Sequence, residues 1–181
     1  MSYQRTGSPA WWATKVRQFR SHLLARVRPA ERAGLAGWVP AALLDLFDAM
    51  PVADRRHGLD VVASLRASGG GSDTELLLAG LLHDCGKSTA PGQGSQGSGV
   101  GLLPRVAWSL GEAFGLWVVR LARRLPGFGP SLDLLRDHAE RSAELVQAAG
   151  GSARTAELIR NQAGAPADRA GELLRLADEA N

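Results

Sequence analysis

Apolar residues recur along this chain at intervals of three and four, the period of an amphipathic helix. Trp12, Val16, Phe19, Leu23 and Val27 share one stripe, with Lys15, Arg17, Arg20, Arg26 and Arg28 largely off it, which predicts a helix over 9–28. Leu43, Leu44, Leu46 and Phe47 mark a second over 40–49. His57, Val61 and Leu65 fall on one face of a helix over 54–68, and a run that is apolar on nearly every face predicts another over 73–84. The Ser68-Gly69-Gly70-Gly71-Ser72 link is short enough to fold these two back on each other as an antiparallel hairpin. Further on, one long helix is expected over 102–125, another over 131–149 and a short one over 152–163, with Pro166 opening the last at a first-turn position. Between 91 and 101 the glycines and serines bury nothing and predict a mobile loop, close enough to Lys87 to act as a lid.

Composition sharpens this into an all-α expectation. Alanine and leucine dominate the apolar set and Ile159 is the one isoleucine, so strand formers are scarce. A chain of 181 residues buries roughly 70% of its unfolded surface, enough for one sizeable core. The expected organisation is an accessory helix within 1–35 and a helical domain over 36–181. Cys85 is the only cysteine, which excludes an internal disulfide and suits a reducing, cytoplasmic setting. No leader peptide is evident, and no apolar run reaches the roughly 20 residues of a bilayer span. The formal charge is +3, but residues 1–32 hold Arg5, Lys15, Arg17, Arg20, Arg26, Arg28 and Arg32 against only Glu31. Such a segment can bind nucleic acid or an anionic membrane surface; equally, its stripe can pack on the core with its arginines solvated.

The chemistry concentrates at Leu81-Leu82-His83-Asp84-Cys85-Gly86-Lys87. An imidazole and a carboxylate at the end of so apolar a helix face a dry environment that neither tolerates without a partner. A divalent cation satisfies both at once, since neutral His and ionised Asp are good ligands for borderline and hard metals. His57 lies about 16 Å from the interhelical link and His83 about 15 Å from it on the other helix, so the two imidazoles arrive at one height. Asp178 ends the stripe Ala167, Gly171, Leu174, Asp178, which aims a carboxylate inward.

A His, then a His-Asp pair, then a distal Asp on a helical core resembles the HD superfamily of metal-dependent phosphohydrolases, the likeness covering roughly residues 50 to 181. It implies a compact bundle of about six core helices, a divalent ion (Mn, Fe, Co, Ni or Mg) held by His57, His83, Asp84 and Asp178, and a small phosphorylated substrate such as a nucleotide or another phosphate ester. The chain departs from the family's pattern at Cys85, where an aliphatic residue is usual, and at Asn161, where two-metal members carry a further His.

Lys87, freed by the helix stop at Gly86, is the candidate for neutralising charge on the phosphoryl group. His138 lies on the stripe Leu135, His138, Ser142, Leu145, Val146; it is either a satisfied core histidine or a catalytic group, as a second-metal ligand or general acid. Arg56, Arg136 and Arg141 are weaker candidates for phosphate contact. Cys85 reads as a small buried hydrophobe, and the run from Gly80 to Ser88 has one residue too many between its glycines for a phosphate-binding P-loop. The alternative to an enzyme is a regulatory or binding module that keeps the fold without turnover.

Overall fold

The computed structural model describes residues 12, 24–88, 100–162 and 164–181, the side chain of Glu112 excepted. Among them are nine α-helices and no β-strand: α1 Pro29–Leu35, α2 Ala41–Ala49, α3 Val52–Leu65, α4 Thr74–Leu82, α5 Leu102–Phe114, α6 Leu116–Ala122, α7 Phe128–Ala148, α8 Ala153–Arg160 and α9 Arg169–Ala180. The all-α expectation holds. The chain groups into two compact units, residues 100–136 in one and 25–88 with 137–181 in the other, and α7 passes from the first to the second after Arg136.

In the larger unit α4 is the central element. From Leu76 to Leu82 every residue is buried, because α3, α8 and α9 all pack against it. Phe47, Val61, Leu65, Leu81, Val146, Ile159 and Leu174 fill the surrounding core. Asp73 caps α4 by accepting from Leu76 N at 3.1 Å, and α3 lays its buried face of Ala53, Gly58, Val61, Val62 and Leu65 along it. The hairpin expected from the glycine link is therefore present, though α3 ends at Leu65 and a wider turn, Arg66–Gly70, follows. Gly69 makes that turn with φ +88°, a conformation disfavoured for any residue with a Cβ.

Several boundaries differ from expectation, each for a local reason. Arg28 precedes Pro29 and is extended (φ −77°, ψ 145°), since a residue before proline is pushed out of the α region. The helix expected over 9–28 thus does not extend through 25–28; apart from Trp12 and Leu24 the rest of it lies outside the described residues. The helix expected over 102–125 is two, broken at Gly115 with φ +103°. The last helix begins at Arg169 and not at Pro166, because Asp168 is the stronger cap and accepts from Gly171 N at 2.8 Å. α4 stops at Leu82, leaving His83 as its C-cap and Asp84 in the turn beyond. Most of the loop expected over 91–101 falls at 89–99, outside the described residues, as does His22.

The smaller unit has a modest core of Val100, Ala107, Ala122, Leu132 and Leu135, backed by Trp108, Val119, Phe128 and Leu134. No helix of the described residues is long and apolar enough to cross a membrane.

Candidate metal centre

His83 and Asp84 leave the C-terminal end of α4 into a space closed by α3, α7 and α9. His57 reaches it from α3 because that helix approaches α4 closely: a Cβ on Gly58 would stand 2.5 Å from the Leu81 carbonyl oxygen, so only glycine permits the approach beside His57. The two imidazoles meet edge to face, centroids 5.1 Å apart. Asp178 arrives from the last turns of α9, behind the buried Leu174 and Ala177. The segment after Asp84 is pinned to α7 in the same way. A Cβ on Gly86 would lie 2.5 Å from His138 O and 2.7 Å from Ser142 N, and Gly86 N donates to Ser142 Oγ at 2.8 Å. That contact sets His138 beside Asp84.

Ligand atoms of His57, His83 and Asp178 all lie within 4.8 Å of one another. His57 Nε2 is 2.8 Å from Asp178 Oδ1, a hydrogen bond in which the ring N–H donates. His83 Nε2 lies 3.4 Å from Asp178 Oδ1 and 3.5 Å from Asp84 Oδ1. Asp84 stands at the edge of the group, its Oδ1 also 3.7 Å from His138 Nε2. Its other oxygen, Oδ2, accepts from Lys87 Nζ at 2.7 Å. The four sequence candidates for metal ligation are thus neighbours, with Lys87 and His138 on Asp84; Lys87 is paired to the carboxylate through one of its three N–H groups.

Hydrogen bonding fixes the roles of the ring nitrogens. His83 Nδ1 is 3.0 Å from the Gly80 carbonyl, which can only accept, so Nδ1 carries a proton and a neutral ring turns its Nε2 lone pair into the site. The Gln162 amide nitrogen lies 3.5 Å from the His83 carbonyl oxygen and 3.4 Å from His138 Nε2, which ties the end of α8 to both residues. His83 Nε2 and Asp84 Oδ1 are buried and make no hydrogen bond. Two acceptors 3.5 Å apart in a dry space are unfavourable unless a proton or a cation lies between them.

The titration behaviour reports the same demand. Burial presses the His83 pKa down, but the Asp84 and Asp178 carboxylates overcome it and raise it from 6.5 to about 9. Burial pushes the Asp84 and Asp178 carboxyls up; His83 and Lys87 prevail at Asp84, and His57 and His83 at Asp178, so both end well below the ordinary range. Without an ion, a proton on His83 is the available counter-charge. A divalent ion fits better: donors about 2.1 Å from one centre lie about 3 Å apart when adjacent, close to the spacings seen here. Burial of the Cys85 thiol pushes its pKa to about 12, which suits an inert core residue.

Two participants escaped the sequence reading. Asn161 is exposed and ends α8, while its neighbour Gln162 turns inward and is 8% exposed. No periodicity signals Gln162, because it follows the helix end. Ser142 lay on the stripe of His138, but its bond to Gly86 N depends on a contact between distant segments. The arginine candidates are engaged elsewhere or in the other unit: Arg56 pairs with Glu31 and Asp60, and Arg136 with Asp133, whereas Arg141 lies close to Gly86. No protein-family model, curated protein or solved structure matches the chain.

Proposed function

We propose that this protein is a metal-dependent phosphohydrolase of the HD type, acting on a nucleotide or another phosphate ester. The observation that carries this is the pair of buried acceptors without hydrogen bonds, His83 Nε2 and Asp84 Oδ1, 3.5 Å apart, with His83 grouped with His57 and Asp178 at the spacing of ligands around one ion. His57, His83, Asp84 and Asp178 would hold the ion; this mixed imidazole and carboxylate set suits Mn, Fe, Co, Ni or Mg better than a structural zinc, which usually takes thiolates. Bound there, a divalent ion supplies a more acidic water and polarises a phosphoryl group.

The chain's own residues orient and balance the site. Gly80 O holds the His83 ring in the tautomer that presents Nε2. Lys87 occupies Asp84 Oδ2, which leaves Oδ1 for the centre and keeps two further ammonium N–H groups for phosphoryl oxygens. His138 is placed to move a proton at Nε2, with Gln162 fixing its orientation. The side chains of His83 and Asp84 are 2% and 4% exposed but that of Asp178 is 39% exposed, so solvent and substrate enter on the Asp178 side.

Metal analysis of chelator-free protein, followed by turnover on a panel of phosphomonoesters, phosphodiesters and nucleotides, tests the proposal. Asp84→Ala should abolish metal retention and turnover while helix content stays nearly native. Full metal occupancy in that variant would remove the ligand set. A metal-loaded native chain inert on the whole panel would favour a regulatory or binding module.

A further inference from the structure

The smaller unit leaves much of its apolar surface in solvent. Leu103, Phe114, Leu116, Trp117, Leu121 and Leu125 are each more than half exposed, while the core beneath them is built largely on Ala107, Ala122, Leu132 and Leu135. The exposure is organised. α5 and α6 close on one another at Gly111, where an added Cβ would collide with Val119. That contact turns Val119 and Ala122 inward and puts Trp117 and Leu121, one helical turn apart, on the opposite face with Leu116. Trp117 is held in place by its Nε1–H, which donates to Phe114 O at 2.9 Å. Large apolar side chains gathered on one water-exposed helix face mark an interaction site.

Charge identifies the partner. Residues 100–136 carry Arg105, Arg120, Arg123, Arg124 and Arg136 against Glu112 and Asp133, a balance of +3; residues 25–99 with 137–181 carry twelve basic and sixteen acidic residues, a balance of −4. Asp133 is already taken by Arg123 at 2.7 Å and Arg136 at 3.3 Å. Arg120 and Arg124 are exposed, one turn apart on the same short stretch as Trp117, Leu121 and Leu125. We propose that this α5–α6 face docks on a lipid bilayer containing anionic headgroups, with Leu116, Trp117, Leu121 and Leu125 entering the interface and Arg120 and Arg124 meeting phosphate or carboxylate groups. Exposed leucines with an interfacial tryptophan and flanking arginines are the composition of a helix that lies in a membrane surface. A second copy of the same face would bring arginines against arginines. Nucleic acid would satisfy the arginines but would leave the leucines without a counterpart, since stacking needs aromatic planes.

Co-sedimentation of the full chain with vesicles tests this, using phosphatidylcholine alone and phosphatidylcholine mixed with phosphatidylserine. The native chain should sediment with the mixed vesicles and much less with the neutral ones. Arg120→Gln with Arg124→Gln should lower partitioning onto the mixed vesicles about twenty-five-fold, at about five-fold per arginine. Trp117→Ser with Leu121→Ser should lower it about ten-fold or more. All four positions are exposed, so circular dichroism should show native helix content in both variants. The proposal is overturned by a native chain that stays in the supernatant, by variants that sediment like the native chain, or by equal binding to neutral and anionic vesicles. It is also overturned if sedimentation velocity shows a dimer that Trp117→Ser dissociates, which would make a second copy the occupant. Tight binding of a single-stranded oligonucleotide that survives Leu121→Ser, without vesicle binding, would make nucleic acid the occupant. None of these outcomes depends on the metal centre.

Discussion

If His57, His83, Asp84 and Asp178 share an ion, that ion must stabilise the fold, because the four residues join α3, the end of α4 and α9. An ion that binds only the native state contributes about 2.7 kcal/mol when present at a hundred-fold excess over its dissociation constant. For a chain of this length each kcal/mol moves the melting temperature by about 2–4 °C, so saturating metal should raise it by about 5–10 °C over the chelated protein. His83→Ala acts differently. It removes a ring that is 2% exposed and its bond to Gly80 O, and it leaves Asp84 Oδ1 with only the more distant His138, 3.7 Å away, while Oδ2 stays on Lys87. A cavity and a broken buried polar pair together cost about 3 kcal/mol, so this variant should melt about 6–12 °C below the chelated native chain, and about 11–22 °C below the metal-loaded one, whose ion it also loses. Its distinguishing property is the loss of the metal response. Thermal unfolding of both proteins, each with and without verified chelation, gives the four melting temperatures required. Equal values for the loaded and stripped native chain, or a His83→Ala variant that still gains stability on adding metal, would refute the shared-ion geometry.

Three further outcomes follow from the same contacts. Gln162→Leu keeps the side-chain volume but removes the donor to His83 O and His138 Nε2, and should weaken metal affinity by about 10–100-fold in calorimetric titration with helix content unchanged. Gly86→Ala forces a Cβ against His138 O and Ser142 N and should cost about 1–3 kcal/mol in urea unfolding, while the same change at the half-buried but unobstructed Gly129 should cost less. In the chelated protein, the His83 pKa is raised from 6.5 to about 9, so its contribution is complete below pH 6.5 and is lost as pH rises through about 9. Asp84 and Asp178, lowered from 3.8, contribute above that value and lose their contribution as pH falls below it. Chemical denaturation of the stripped chain should therefore show greatest stability between about pH 4 and pH 7, and His83→Ala should flatten the alkaline side of the profile.

The exposed hydrophobic side chains of α5 and α6 show where periodicity alone misleads. Val106, Trp108, Leu110, Phe114, Trp117, Val118 and Leu121 have the composition of a core helix, and 102–125 reads as one element. Gly115 divides it, Trp117 and Leu121 end in solvent, and Phe114 lies with its ring 6.2 Å from that of Trp12. A stripe shows that a helix has an apolar face; it does not show whether anything in the chain is left to cover that face.

What the sequence determined by itself is local in origin. The spacing of Leu43 to Phe47, the apolar run through Leu82 and the caps at Asp73 and Asp168 specify helices, because propensity, amphipathic period and capping act within a few residues. The juxtaposition of His57 with His83 was also legible, since a short glycine link and equal helical rise leave two antiparallel helices little freedom. Tertiary structure decided everything that depends on contact between distant segments. Whether Asn161 or Gln162 faced the centre turned on how α8 ended. That Lys87 holds Asp84 required the turn at Cys85–Lys87 to fold back, and the place of His138 required α7 to seat on Gly86. These are matters of packing at sub-ångström tolerance, set by which backbone can approach which, and no pattern along one segment encodes its partner's surface.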